Sequence, residues 1–166
     1  MNAETSLSLP QGRMQGHGAL MQAVRDAFRL AAQKEWREMI LCDKDFSDWP
    51  LGEREVVESL QAWATKGRRF AMLAMDYAEM PRRHARFVRW RQIWGHIIDC
   101  RVCATRDPQT FPSVLWTPSW VMQRIDPVHD VLVCDSEAAR RVGLRQELDE
   151  RWRNSGPGFS ASVLGL

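Results

Sequence analysis

Lysine is scarce in this chain. Only Lys34, Lys44 and Lys66 occur, against twenty arginines. No lysine lies beyond Lys66, so no lysine-dependent chemistry can come from the rest of the sequence. No G-x-S-x-G occurs, and with it goes the serine nucleophile elbow. The only glycine pairs, GHG at 16–18 and GPG at 156–158, follow no strand pattern, so no phosphate-cradling loop is encoded. No window holds the roughly 18 apolar residues that a membrane span needs. The opening MNAETSLSLPQGRMQGHG has neither the apolar run nor the cleavage-like site of a secretion signal. The expected location is therefore the cytoplasm. Cys42, Cys100, Cys103 and Cys134 would stay reduced there. The net charge of +2 is too small to imply a polyanionic partner by itself.

Arginine and tryptophan are abundant. The eight tryptophans read mainly as core, since each supplies a large apolar area and one N–H that needs an acceptor. Between residues 81 and 107, seven arginines face two aspartates, a local charge of +5.

Periodicity gives the elements. Residues 1–17 are polar and aperiodic and read as a flexible arm. From Ala19, apolar residues at helical spacing (Leu20, Val24, Ala27, Phe28, Ala31) predict a helix to about Trp36. Met39–Cys42 is a short apolar run, the mark of a strand covered on both faces. Val56, Val57, Leu60, Trp63 and Ala64 mark a second helix, stopped at Lys66-Gly67. Arg69–Met75 is the next strand, and Pro81 opens a third helix expected to reach Ile98. SVLW, SWVMQR and DVLVC are further strands. Asp135-Ser136-Glu137 opens a last helix carrying Leu144, Leu148 and Trp152. No internal repeat is present. The expected fold is a single α/β domain over 18–166, in the order α-β-α-β-α-β-β-β-α. Its central mixed sheet should have about four to five strands with helices packed on it.

On a wheel of 100° per residue, Phe87, Trp90, Trp94, Ile97 and Ile98 share one arc of the third helix. Arg82, Arg86, Arg89 and His96 form a second stripe, with His84 and Arg91 on the opposite flank. Such arginines either follow phosphates, whose oxygens fit the guanidinium fork, or pair with acids on a solvated face. Arg82, Arg86, Arg89 and His96 are the candidate ligand-binding residues.

Three chemical constellations compete with that stripe. Asp43, Asp45 and Asp76 follow strands, where α/β proteins place sites and where a divalent cation could assist phosphoester chemistry. ILCDKDF superficially resembles the nucleophile loop of haloacid-dehalogenase-type phosphatases, but the later Ser/Thr and Lys of that family are missing. His96, Cys100 and Cys103, with Cys134 or His129, could form a zinc tetrahedron, though a single CxxC is weak support. Asp43, Asp45 and Asp48 are also ordinary turn and cap residues.

DFSDWPLGEREVVESLQAWA, RHARFVRWRQIWGHIIDCR and the ending GPGFSASVLGL together resemble an uncharacterised family of short beta-proteobacterial proteins without assigned activity. The element order also resembles half of a phospholipase-D-like domain. Catalytic members of that superfamily carry H-x-K-x4-D. The nearest match is His129-Asp130-Val131, with valine in the lysine position, so the resemblance implies a catalytically inactive relative. The expectation is a non-catalytic binding module with no catalytic residue, cofactor or metal. Its partner would be a protein or a phosphate-bearing ligand, nucleic acid included. The alternative is a metal-dependent phosphoester-processing enzyme. The apolar end FSASVLGL would complete the sheet or dock on a partner.

Overall fold

A computed structural model describes residues 8–104 and 107–159. In chain order its elements are β1 (Gly12–Gln15), α1 (His17–Gln33), β2 (Glu38–Cys42), α2 (Arg54–Ala64), β3 (Arg69–Ala74), α3 (Met80–Arg83), α4 (Ala85–Ile93) and β4 (Ile98–Val102). Then come β5 (Val114–Trp116), β6 (Val121–Asp126), β7 (Val131–Asp135), α5 (Ala138–Arg153) and β8 (Gly156–Pro157). All strands join one sheet in the order β1-β7-β6-β5-β2-β3-β4-β8. β2, β3 and β4 run parallel, and every other pairing is antiparallel.

Alternation along the strands sorts the side chains into two layers. Met39, Leu41, Phe70, Met72, Leu115, Met122 and Leu132 point to the side covered by α1, α2 and α4. Ile40, Cys42, Ala71, Leu73, Val114, Trp116 and Val121 point to the other side, where Leu144, Leu148 and Trp152 of α5 cover them. Six of the tryptophans are buried, as a core role requires. Three of these find an acceptor: Trp63 at the Trp36 carbonyl, Trp116 at that of Arg141 and Trp120 at that of Pro10.

The mixed α/β class and single domain match the sequence reading, but the sheet has eight strands, not four to five. Three account for the difference. β1 lies inside the expected arm: Gly12–Gln15 pair with β7, and Trp120 holds the Pro10 carbonyl. Residues 1–7 lie outside the described residues, as do 160–166 of the C-terminal ending. β4 takes Ile98, which the wheel assigned to the third helix. β8 pairs Gly156 and Pro157 with β4, and Phe159 stacks on Tyr77 at 5.4 Å.

The expected single helix over 82–98 is broken. His84, between α3 and α4, has φ −131° and ψ 50°. Its ring is buried, and Nε2 lies 2.8 Å from the Phe46 carbonyl. A carbonyl only accepts, so Nε2 carries the proton. Gly52 makes room for this corner, since a Cβ there would lie 2.7 Å from the Arg83 carbonyl oxygen.

Candidate functional site

The loop that follows β2 meets the β6–β7 hairpin at one end of the strands. β2 ends at Cys42, and Asp43 follows. The Asp43 carboxylate accepts from the Phe46 N–H at 2.8 Å and the Asp45 N–H at 3.2 Å, closing an Asx turn. Phe46 sits at φ 58°, a costly conformation for a bulky side chain. Its carbonyl is held by His84, and its ring meets Trp49 edge-on at 5.1 Å.

Arg124 of β6 enters this turn, with 1% of its side chain exposed. Its Nη2 donates to Asp43 Oδ1 at 3.0 Å and to Asp48 Oδ1 at 3.1 Å. Nη1 donates to Asp48 Oδ2 at 2.5 Å and to Asp130 Oδ1 at 3.1 Å. Nε donates to the Ser113 hydroxyl oxygen at 3.2 Å. Every nitrogen of the guanidinium is therefore engaged, with a bidentate fork on Asp48. Burial disfavours the charge of Arg124, but the hydrogen bonds and attraction of Asp48 and Asp43 outweigh it and hold the pKa above its ordinary value. Burial likewise opposes the Asp48 charge, and Arg124 again prevails, keeping this carboxyl below its usual range.

Two carboxylates of this cluster approach α1. His17, Asp48 and Asp130 offer ligand atoms within 4.8 Å of one another, the one such group among the described residues. Asp48 and Asp130 already serve Arg124, so the arrangement is first an ion cluster built around an arginine.

The other acids proposed for catalysis do not join it as a metal cradle. Asp45 accepts from the Ser47 N–H and Asp76 from the Ala78 N–H, each at 3.0 Å. Both are turn residues, which for Asp45 is the plainer of the two readings. The zinc set is dispersed. Cys100 faces the α1–α2 layer and Cys103 the α5 layer. Cys134 on β7 lies five strand positions from β4, roughly 24 Å at normal strand spacing. All four cysteines are free and buried, and burial pushes the Cys100 and Cys134 thiols up to about 12.

The arginine stripe is divided by the break at His84. Arg82 lies on α3, and Glu79 holds it at 2.7 Å. Arg86 and Arg89 are exposed on α4. Arg86 reaches the Gly52 carbonyl at 3.2 Å. His96 follows the helix, with its ring 5.7 Å from that of Trp94. The four residues thus share a region but not one helix face. Arg86 and Arg89 flank a shallow groove with Gln61 and Ile93, between α2 and α4.

No protein-family model matches the chain, and no curated protein matches it in sequence. Among solved structures it is similar to TrmBL2, an archaeal chromatin protein whose structure is described as showing a novel mode of DNA binding. The TM-score is 0.66 at 13% identity, over 93% of this chain and 56% of that one. The likeness is one of fold, and this chain spans little more than half the length of that protein. Among the described residues, no helix is long and apolar enough to cross a membrane.

Proposed function

We propose that this chain is a non-catalytic α/β binding module that holds nucleic acid by its phosphates against the α3–α4 region, through Arg82, Arg86, Arg89 and His96. One observation carries the reading. Arg86 and Arg89 stand exposed on one helix, and among the described residues neither has a carboxylate partner. Exposed guanidinium forks of this kind suit phosphate oxygens. The resemblance in fold to a protein described as binding DNA supports the choice of nucleic acid over a protein partner. The phospholipase-D-like resemblance is compatible with it. Val131 takes the position of the superfamily's lysine, and the exposed His129 ring is engaged by Asp126 at 2.8 Å.

The test is fluorescence anisotropy with labelled single-stranded and duplex oligonucleotides at two salt concentrations. Three arginine–phosphate contacts on duplex give a log–log salt slope of about −3, hence roughly 40-fold weaker binding between about 50 and 200 mM salt. Binding that is absent at low salt, or indifferent to salt, overturns the proposal.

A further inference from the structure

A cavity of about 530 Å³ opens beside the Arg124 cluster, at the carboxyl end of the parallel strand β2. Its size falls within the range of small-molecule sites, and its position is where open α/β sheets take ligands. Of its lining, Arg124, Ser113 and Phe111 are buried, whereas Lys44, Ile125 and Val128 are exposed.

Three features of this cavity call for an occupant. Ser113 is only 2% exposed, and its oxygen accepts from Arg124 Nε. Its own O–H donates to no acceptor among the described residues, so the cavity lining carries a buried donor left over. Lys44 is the one cation of the lining without a carboxylate partner there, whereas Arg124 is saturated. The acids of the lining are likewise spent. Asp43 serves Arg124 and two backbone N–H groups, and Asp126 serves His129 and two more. Ile125 is 47% and Val128 77% exposed, two of the few large apolar side chains left in water. The uncommitted groups are thus one buried donor, the Ser113 hydroxyl, and an exposed cation, Lys44, beside the exposed apolar surface of Ile125 and Val128.

We infer that this cavity binds a small organic monoanion, a carboxylate with an aromatic or branched aliphatic body. Lys44 and the Ser113 hydroxyl donate to the carboxylate, and Phe111, Ile125 and Val128 cover the body. The Arg124–Ser113 part of the lining is preformed, because the hydrogen bonds of Arg124 to Asp43, Asp48, Asp130 and Ser113 fix it before any ligand arrives.

The probe is phenylacetate, followed by chemical-shift perturbation of the full chain, with phenylacetamide as neutral isostere and acetate as the headgroup without a body. Titration to about 5 mM registers even a Kd near 1 mM. The expected result is saturable shifts confined to residues 43–44, 109–113 and 124–128, with both control compounds about tenfold weaker or more. Lys44→Ala, an exposed change that leaves the fold intact, should weaken phenylacetate by a similar factor, and Lys34→Ala should leave it unchanged. No saturable shift with phenylacetate, or equal binding by Lys44→Ala or phenylacetamide, overturns the inference. Shifts centred on Arg86 and Arg89 instead would do the same.

Discussion

Arginine does opposite work at two sites of this molecule. Beside the carboxyl end of β2, Arg124 is sealed from water and engaged by Asp43 and Asp48 of the loop that follows β2 and by Asp130 of the β6–β7 turn. On α4, Arg86 and Arg89 stand in solvent, and a single carbonyl is the only partner between them among the described residues. The residue type is the same, and burial together with the supply of acids decides the role. A buried guanidinium must be fully compensated and so becomes a structural tie. An exposed one keeps its donors free for an incoming anion. Counting arginines along the sequence cannot make this distinction, because it depends on which acids the fold brings alongside.

The sharpest way to break the comparison is to remove the buried arginine. Arg124→Met leaves Asp43, Asp48 and Asp130 clustered without a countercharge. The expected loss is about 3–5 kcal/mol in urea unfolding, a large share of a domain's stability. A loss below about 1 kcal/mol would mean that the cluster is not the tie described. Gly52→Ala drives a Cβ into the Arg83 carbonyl at the α3–α4 corner. Such overpacking costs about 1–3 kcal/mol, and the same unfolding curves measure it.

Acid sharpens the comparison further. Burial keeps the His84 pKa below its ordinary 6.5, against the pull of the Phe46 carbonyl. As pH falls below that value, the unfolded chain takes up the proton first, so stability drops until the lower folded pKa is passed. Urea midpoints should decline as pH falls below about 6.5, and His84→Gln should flatten that decline. The Asp48 contribution has the usual carboxylate sign. It is present above about pH 4 and lost as pH falls through the depressed folded pKa. Asp48→Asn should remove this second step. The smallest expected effect on stability belongs to Arg86→Ala and Arg89→Ala, within about 0.5 kcal/mol each, as for solvated side chains generally. Thermal melts check it.

Much of the fold was legible from periodicity. β2 and β3 announce themselves as apolar runs because both of their faces are covered. α1 and α2 show their buried stripes plainly. β4 was not legible: Ile97 and Ile98 continue a helical stripe, while the alternation of Ile98, Asp99 and Cys100 is too short to overrule it. The break at His84 depends on a carbonyl from residue 46, a contact that no local pattern records. β1 and β8 have too few apolar residues to signal strands and form because an edge is there to pair with.

The cluster around Arg124 was half legible. Asp43 and Asp45 read correctly as turn residues, whereas Asp48 forks onto Arg124, and that arginine was not singled out. One signal was present. Met122 and Arg124 lie two apart in a strand, so they share a face, and Met122 points into the core. A charge at that parity demands buried partners. The cavity beside it is assembled from residues 43–44, 108–113 and 124–128, which only the sheet order brings together.

The most direct test measures affinity and stability side by side on the Arg86→Ala/Arg89→Ala double variant. The account predicts a melting temperature close to that of the unaltered chain, a duplex-DNA affinity at least tenfold lower, and a salt slope shallower by about 2. Unchanged affinity and slope with the melting temperature intact would contradict it, and would leave these arginines as a solvated helix face.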